Sequence, residues 1–306
     1  MSVYTQITTD DLAILATQYD ISPLSFQGIT AGVTNSIYQI TSLQGNYCLT
    51  IFETLMTPQI KPYIQLIEDL HAEQIPCARV LHTRDQQTLI ELQHKPAVLV
   101  EFLPGATLTT VTPSQCFSVG KILAKFHKAG RKSQAALINT RDRDWHDRTA
   151  KKVFAYLTPP EQQLLTQSLD VLHADPLSAC PQGIIHYDLF RDNVLMIDDE
   201  VTGLLDFYYA CRGPLILDIA VCINDWCRDE HGELSTERHD ALLAGYEAVR
   251  PLTAVERQLL HQAIILAALR FWLSRLNDQL FPSSGTLVQI KNPAFFASIL
   301  LGLFSQ

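Results

Sequence analysis

Residues 183–206 read GIIHYDLFRDNVLMIDDEVTGLLD, and this stretch decides the fold. Its centre has the form H-x-D-x-x-x-x-N, in which the polar positions are His186, Asp188 and Asn193. An apolar run precedes this loop, and two more apolar runs, separated by an acidic turn, lead from Asn193 to Asp206. The alternation predicts a short strand, a polar loop and a hairpin of two buried strands.

The polar residues of this stretch match the catalytic-loop pattern of kinases. In that pattern Asp188 accepts or orients a nucleophilic hydroxyl, while Asn193 and Asp206 supply hard oxygen ligands to Mg²⁺. His, Asp and Asn are also common in turns, so one of them alone would mean little. Three such positions at the expected spacing, bracketed by apolar strands, favour phosphoryl transfer over a simple turn.

Four segments carry a family resemblance. They are HYDLFRDNV (186–194), GLLDFYYACRGPLILDIAVCINDWC (203–227), ALRFWLSRLNDQLFPSSGTLVQIKNPAFF (268–296) and the opening MSVYTQITTDDL (1–12). Together they resemble the aminoglycoside phosphotransferase/choline kinase superfamily and, more narrowly, the bacterial homoserine kinases built on that fold. The resemblance implies a two-lobed, protein-kinase-like α+β fold. We expect a nucleotide-binding lobe at 1–103, with a small antiparallel sheet and one main helix, and a mainly helical catalytic lobe at 104–306.

Composition limits the classes of partner and compartment. The chain has 306 residues, 47% of them apolar, and a net charge of −9, which argues against a nucleic-acid or anionic-membrane partner. Seven scattered cysteines without a C-x-x-C pattern predict free thiols in a reducing cytosol. The opening residues lack a basic and an apolar region, and the apolar run 263–269 is too short to span a bilayer. We therefore expect a cytoplasmic monomer or homodimer that acts on a small molecule.

The first hundred residues predict the nucleotide-binding elements. Thr8 or Thr9 can cap a first helix through residues 10–15. Segment 26–40 predicts two strands joined by a tight turn, 47–52 predicts a third strand, and 89–92 with 97–103 predict a further strand pair. The turn carries the candidate phosphate-binding residues Gly32, Thr34, Asn35 and Ser36. A single glycine in a hairpin is usually a turn residue, so the assignment depends on the motif downstream. The resemblance implies that adenine bonds to backbone groups near Glu101 and Leu103.

The third strand departs from the kinase pattern. Thr50 occupies the position where a lysine or arginine normally reaches the phosphates and is a candidate nucleotide contact itself. Lys61 is a candidate source of the missing charge, although a solvated surface lysine explains it better. The helix predicted over 58–75 offers Glu68 or Asp69 as the acidic partner, and either is more simply an exposed helix carboxylate.

Beyond the two motifs the sequence predicts helices and the acceptor site. We expect helices over 113–130 and from Pro159, a surface loop over 139–146, and one or two helices over 254–280 with Arg270 and Arg275 on the more polar faces. Asp218 resembles the residue that braces the catalytic loop in this superfamily, and His127 is expected to be structural. The candidate acceptor-binding residues are Tyr208, Tyr209, Arg212, Asp225 and Arg270.

The motif fixes the reaction class better than the acceptor. L-Homoserine needs a cation for its carboxylate and an anion or aromatic face for its ammonium, and the mixed charges beyond Asp206 favour such a zwitterion. Spacing alone would permit choline, methylthioribose, an aminoglycoside or a sugar. A non-catalytic nucleotide-binding module is a third reading, suggested only by Thr50. The cofactors expected are ATP and Mg²⁺.

Overall fold

The computed structural model describes residues 5–29, 35–282 and 291–305. These residues form two compact units, each with its own internal packing. The first unit takes in the described residues up to Pro104 together with Ser133–Ala136, and the second takes in nearly all the rest.

The first unit is built on an antiparallel sheet. Its strands, within the described residues, run in the order β1-β2-β3-β5-β4. The elements of this unit are α1 (Thr9–Gln18), β1 (Pro23–Ile29), β2 (Ser36–Ser42), β3 (Gly45–Ile51), α2 (Thr57–Ala72), β4 (Ile90–Leu92) and β5 (Lys95–Glu101). The sheet, α1 and α2 all lie where the sequence predicts strands and helices. Thr8 caps α1 through a reciprocal capping box with Asp11, because its own N–H and hydroxyl both reach that carboxylate.

Strand register separates the two faces of this sheet. Thr50 of β3 lies opposite Ile37 of β2 and Val98 of β5, whereas Ser36 lies opposite Ile51. Because neighbouring residues of a strand point to opposite faces, Ser36 and Thr50 belong to different faces. The Ser36 face packs against α1, with Tyr38, Ile40, Leu49 and Leu99 in a core that includes Leu15 and Tyr19 of the helix.

The second unit is mainly helical with two short hairpin-like sheets. Its elements are α3 (Pro113–Gly130), α4 (Arg143–Val153), α5 (Pro159–His173), β6 (Gln182–Ile185), β7 (Val194–Ile197), β8 (Glu200–Leu204), β9 (Cys211–Pro214), α6 (Ile216–Trp226), α7 (Thr236–Glu247), α8 (Ala254–Leu280) and α9 (Ala294–Phe304). Strand β6 pairs with β9, and β7 pairs with β8, both antiparallel. The expected strand, loop and buried hairpin are therefore confirmed, as is the α+β fold class.

Helices α3 and α7 cross with their backbones in direct contact. A Cβ added at Gly120 of α3 would lie 2.0 Å from the carbonyl oxygen of Leu242, and one added at Gly245 of α7 would lie 2.0 Å from that of Phe117. The two glycines therefore allow a close approach that no larger residue permits.

Two sequence-based expectations for this unit were wrong. Segment 139–146 is not a loop throughout, because α4 begins at Arg143 and is capped by the Asp142 side chain, which accepts from the Trp145 N–H. Arg270 does not lie on a polar face, because it is only 1% exposed. Residues 254–280 form one continuous helix.

Helix α8 is long and apolar enough to cross a membrane, judged by length and composition alone. It has 27 residues, so the short apolar run seen in the sequence understated its length. Two thirds (67%) of its most apolar 18-residue segment is buried inside the protein. Its apolar residues include Ala263, Ala267 and Leu273, each fully buried, as expected for the central helix of a helical core.

Candidate active site

The loop after β6 is held by a carboxylate from α6. Asp218 accepts the backbone N–H of His186 and that of Tyr187, each at 2.6 Å. Tyr187 has a positive φ of 65°, a costly conformation for an aromatic residue that these two bonds help to hold. The expectation that Asp218 braces the loop is confirmed.

Asp218 is itself part of a buried polar chain. Nε2 of His127 lies 3.1 Å from its Oδ2, and Nδ1 of His127 lies 2.7 Å from the Tyr246 hydroxyl. Arg250 reaches that hydroxyl at 3.2 Å and pairs with Glu256 at 2.9 Å. His127 is therefore a structural residue that ties α3 to α6 and α7, as the sequence indicated.

His186 joins the loop to the segment that carries Asp206. Its Nε2 lies 2.8 Å from the carbonyl oxygen of Leu205, while its Nδ1 accepts the Asp188 N–H at 3.3 Å. Burial lowers the pKa of His186, which favours the neutral ring that can donate at one nitrogen and accept at the other. The ring thus fixes the backbone on both sides of the site.

The side chains of Asn193 and Arg270 hold the Asp188 carboxylate in place. Nδ2 of Asn193 donates to the Asp188 carbonyl oxygen at 2.8 Å and to its Oδ2 at 3.1 Å. Nη1 of Arg270 lies 3.4 Å from Oδ1. Burial raises the pKa of Asp188 to about 7, against the opposing charge of Arg270 and with added repulsion from Asp206. The carboxylate is therefore positioned and basic enough to accept a proton near neutral pH.

Asn193 and Asp206 lie at adjoining strand ends. The Leu205 N–H donates to the carbonyl oxygen of Asn193 at 2.9 Å, which places the residue before Asp206 directly against Asn193. The Asn193 amide nitrogen faces Asp188, so its side-chain oxygen is the atom left to bind a cation. Asp206 has a positive φ of 57° and keeps an exposed edge, while its otherwise buried surroundings raise its pKa to about 6.

This donor set suits Mg²⁺. Within residues 5–29, 35–282 and 291–305 there is no group of three or more His, Cys, Asp or Glu that could hold a metal by itself. One carboxylate and one amide oxygen are what Mg²⁺ uses when phosphate oxygens and water complete its shell. Asn193 and Asp206 therefore fit a metal that arrives with a nucleotide.

Arg270 lies in an aromatic enclosure next to Asp188. Its guanidinium carbon is 4.5 Å from the ring centre of Tyr187, 4.9 Å from that of Tyr209 and 3.9 Å from that of Phe271. Its Nε is buried without a hydrogen-bond partner. Two of the residues predicted for the acceptor, Arg270 and Tyr209, are thus brought together beside the catalytic loop.

Arg141 joins this cluster and was missed by sequence reasoning. Its guanidinium carbon lies 4.8 Å from the Trp145 ring and 5.0 Å from the Tyr209 ring, and its Nη2 reaches the Tyr209 hydroxyl at 3.4 Å. The segment reads as a charged loop, which hid the helix start. The available signal was the spacing of Arg141 and Trp145, four residues apart at a helix N-terminus.

Other predicted acceptor residues are placed differently. The Asp225 carboxylate is engaged by Arg191, which donates its backbone N–H at 2.7 Å and its Nε at 3.2 Å. Arg212 is exposed on β9, and Tyr208 is half-buried after Asp206. Asp225 therefore fixes the catalytic loop from α6, and its carboxylate already has a cationic partner.

Part of the predicted phosphate loop can be examined in the first unit. Gly32 and Thr34 lie outside the described residues, and Asn35 accepts the Glu53 N–H at 3.4 Å. The Ser36 hydroxyl accepts the Thr5 N–H at 2.9 Å and donates to Glu53 at 2.5 Å. The Ser36 side chain is therefore occupied on the face that packs against α1.

None of the cations in the described ion pairs lies beside Thr50, where kinases normally carry a lysine or arginine. Lys95 pairs with Glu53 and reaches Thr5, on the face opposite to Thr50. Lys61 is exposed on α2. Thr50 itself is buried, at 8% exposure.

The two α2 carboxylates are also occupied. Glu68 pairs with His82 at 2.6 Å, and Asp69 accepts the Ser133 hydroxyl at 2.5 Å. Neither carboxylate is the exposed helix acid that the sequence favoured.

The end of β5 has an ordered backbone where adenine was expected. The Glu101 N–H donates to the Arg79 carbonyl at 2.9 Å, and the Phe102 N–H donates to that of Asn46 at 3.1 Å. The Glu101 carboxylate is engaged with Arg79 at 2.6 Å. The N–H groups of Glu101 and Phe102 are therefore used within this unit, and the adenine contacts expected near Glu101 and Leu103 stay a prediction.

Comparisons with known proteins agree with this geometry. The model of the phosphotransferase enzyme family matches residues 25–252. A homoserine kinase of Methylobacillus flagellatus is 39% identical over 301 residues, covering 98% of this chain and 94% of the relative. A homoserine kinase of Neisseria meningitidis serogroup B is 37% identical over 304 residues, covering 99% and 100%.

Solved structures share the fold at much lower identity. Spectinomycin phosphotransferase, in complex with ADP and spectinomycin, has a TM-score of 0.75 at 14% identity and covers 98% of this chain and 99% of its own. A microcompartment-associated aminopropanol kinase has a TM-score of 0.72 at 19% identity, covering 97% and 96%. The chain belongs to the phosphotransferase enzyme family and, within it, to the homoserine kinases.

Proposed function

We propose that this chain transfers the γ-phosphoryl group of ATP to the side-chain hydroxyl of L-homoserine, giving O-phospho-L-homoserine and ADP for threonine synthesis. The observation that carries the proposal is the fixed, half-buried Asp188, which Asn193 contacts, together with Asp206 after the adjoining strand. This arrangement occurs in a chain that is 35–39% identical to several homoserine kinases over nearly its whole length.

Asp188 acts on the nucleophile. It accepts a hydrogen bond from the homoserine hydroxyl and takes up its proton as the oxygen–phosphorus bond forms and the bond to the bridging oxygen of ADP breaks. Asn193 holds one carboxylate oxygen at 3.1 Å and so limits the directions in which the other can point. The proton then returns to solvent from a group whose burial raises its pKa to about 7.

Asn193 and Asp206 would hold Mg²⁺, which when bound offsets the negative charge of the phosphates. The bond from Leu205 N–H to the Asn193 carbonyl oxygen keeps the two loops in register. His186 holds both loops in place through its hydrogen bonds to the Leu205 carbonyl oxygen and the Asp188 N–H.

The first unit supplies the nucleotide contacts in this proposal. The loop that contains Gly32, Thr34, Asn35 and Ser36 offers backbone N–H groups to the phosphates. Glu101 and Leu103 offer backbone groups to adenine. Thr50 offers a hydroxyl where related kinases carry a cation.

A zwitterionic acceptor fits the charges around Asp188. The side chains that influence it are the cations Arg270 and Lys291 and the anions Asp206 and Asp192. A polycationic aminoglycoside or the quaternary ammonium of choline would need a predominantly acidic or aromatic pocket without a buried arginine. The buried Arg270 therefore disfavours an acceptor that carries only positive charge.

The same proposal places the enzyme in the cytoplasm, as a monomer or homodimer. All seven cysteines are free thiols, six of them buried, which suits a reducing compartment.

The test is ADP release with Mg²⁺-ATP against L-homoserine, choline, methylthioribose and kanamycin. Turnover should be confined to L-homoserine. Turnover on another acceptor would keep the reaction class and reject the acceptor, and normal ATP binding without turnover on any acceptor would reject the enzyme.

A further inference from the structure

We propose that Arg141 binds the α-carboxylate of the acceptor and so selects hydroxy amino acids over amino alcohols that lack a carboxylate. The inference rests on the proposed function and adds a residue outside both catalytic motifs. It requires a guanidinium that is held in place, lacks an acidic partner and lies within a substrate's length of Asp188.

Arg141 is held by two aromatic rings. Trp145 lies one helical turn further along the chain, and Tyr209 comes from the segment after Asp206; their ring centres are 4.8 and 5.0 Å from the guanidinium carbon. The Arg141 N–H accepted by Asn139 at 2.8 Å fixes the backbone at the same point. Stacked guanidinium groups lose little freedom when they bind a planar carboxylate.

Among the described residues, Arg141 has no acidic partner, unlike Arg191 and Arg250. Arg191 pairs with Asp225 at 3.2 Å and Arg250 pairs with Glu256 at 2.9 Å. Within the described part of the chain, the acceptors of the Arg141 guanidinium are a backbone carbonyl at 3.2 Å and the Tyr209 hydroxyl at 3.4 Å. Its Nε is buried without a partner. A cation in such surroundings is well suited to a ligand anion.

The position relative to Asp188 fits a four-carbon substrate. Arg141 and Arg270 each lie about 5 Å from the Tyr209 ring centre, so their guanidinium carbons are within about 10 Å of each other. Arg270 is 3.4 Å from Asp188. Standard bond lengths separate the hydroxyl oxygen and carboxylate carbon of extended homoserine by roughly 5 Å. These upper limits are compatible with an acceptor whose hydroxyl meets Asp188 while its carboxylate faces Arg141.

Arg270 cannot replace Arg141 in this role. Its Nη1 is directed at the Asp188 carboxylate, the group that must receive the hydroxyl. A carboxylate bound solely at Arg270 would bring two anions together beside Asp188, which costs energy. Arg141 keeps the substrate carboxylate further from the reacting centre.

The experiment compares three acceptors in the wild-type enzyme and in Arg141→Gln, with saturating Mg²⁺-ATP. L-Homoserine carries both charged groups, 4-hydroxybutanoate carries only the carboxylate, and 3-aminopropan-1-ol carries only the ammonium. Each is measured as a substrate or, where turnover is too slow, as a competitive inhibitor of L-homoserine. Arg141→Gln should raise the KM or inhibition constant of L-homoserine and of 4-hydroxybutanoate by roughly 10- to 100-fold each. The constant of 3-aminopropan-1-ol should stay within about twofold of its wild-type value.

The controls separate this role from a structural one. Arg148→Gln, an exposed arginine of the neighbouring helix α4, should leave the constants for all three acceptors unchanged, and Arg141→Lys should recover part of the lost affinity. The KM for ATP and the melting temperature should not move. Equal weakening of all three acceptors, or an unchanged L-homoserine KM, would overturn the inference. Failure of the wild-type enzyme to use L-homoserine would instead reject the proposed function, and binding of the two analogues to wild type and Arg141→Gln, measured by titration calorimetry, would then report whether Arg141 recognises a carboxylate.

Discussion

Among single residues, Asp188 combines a half-buried carboxylate with two neighbours that hold it in place. Asn193 and Arg270 both contact it, at 3.1 and 3.4 Å. Replacing the carboxylate by an amide keeps the shape and removes the proton acceptor.

We expect Asp188→Asn to lower kcat by about 10²- to 10⁴-fold, because a positioned general base contributes an effect of this size. ATP affinity, measured by titration calorimetry, should stay within about threefold because Asp188 contacts the acceptor. Asp192→Asn is the matched control, since that carboxylate lies on the same loop, is exposed and pairs with Lys291. Undiminished turnover in Asp188→Asn would remove Asp188 from the chemistry.

His146 gives the protein a pH-dependent stability. Burial lowers its pKa to about 4, with a smaller contribution from the charge of Arg270. An unfolded histidine titrates near 6.5, so the native state favours the neutral ring. This stabilisation is complete above about pH 6.5 and is lost as the pH falls toward 4.

Between pH 6 and 5, one such group lowers the free energy of unfolding by up to about 1.4 kcal/mol for each pH unit. Urea unfolding at pH 7, 6 and 5 should show a flatter dependence in His146→Gln than in the wild type. His94→Gln, which alters an exposed ring, should keep the wild-type slope. Parallel curves for wild type and His146→Gln would show that another group causes the loss.

At the scale of elements, the crossing of α3 and α7 depends on two glycines. Added at Gly120, a Cβ would meet the Leu242 carbonyl oxygen at 2.0 Å, and backbone atoms cannot give way as a flexible side chain can.

Gly120→Ala should therefore lower the free energy of unfolding by about 2–4 kcal/mol despite the better helix propensity of alanine. Gly302→Ala is the matched control, because nothing lies within 4 Å of its added Cβ in α9. It should stabilise the protein by roughly 0.5–1 kcal/mol. Denaturant unfolding of both variants checks the pair, and equal effects would mean that the crossing can relax.

The elements that sequence predicted well are those whose signals are local. The β6 strand, the catalytic loop and the β7–β8 hairpin follow from apolar runs separated by polar turns, and α1 from its capping residues. Helix α4 was misplaced because Asp142 and Arg143 resemble a charged loop, although Asp142 is an N-cap.

The parts of the site that sequence could not give depend on long-range contacts. Asp225 was assigned to the acceptor because nothing local shows that Arg191, 34 residues away, engages it. Arg270 was placed on a polar face because its enclosure comes from Tyr187 and Tyr209, on other elements. The contact between Tyr209 and Arg141 is also long-range, which is why Arg141 was not among the predicted acceptor-binding residues.

At the scale of the whole molecule, the chain divides into a sheet unit and a helical unit. Ser133–Ala136 belongs to the first although most of the sequence after Pro104 belongs to the second. The hydroxyl of Ser133 donates to Asp69 at 2.5 Å, a pairing across 64 residues that no local pattern encodes.

The distribution of thiols over the molecule predicts its redox behaviour. Cys48 is half-buried and the other six are buried, and burial raises the pKa of Cys48 to about 11 and of Cys77 to about 12. Protonated, buried thiols react slowly. Native protein should show at most one fast-reacting thiol with a disulfide reagent, and guanidinium-unfolded protein should show all seven without added reductant. Fewer than seven in the unfolded protein would reveal a disulfide.

The central claim is that Asp188 activates the hydroxyl of L-homoserine toward the γ-phosphate of ATP. Its most direct test is phosphorus NMR and mass spectrometry of the product formed from L-homoserine and Mg²⁺-ATP by the purified chain. A phosphomonoester on the side-chain oxygen should form in step with ADP. ADP release without a phosphorylated amino acid, or phosphate on any other atom of homoserine, would contradict it.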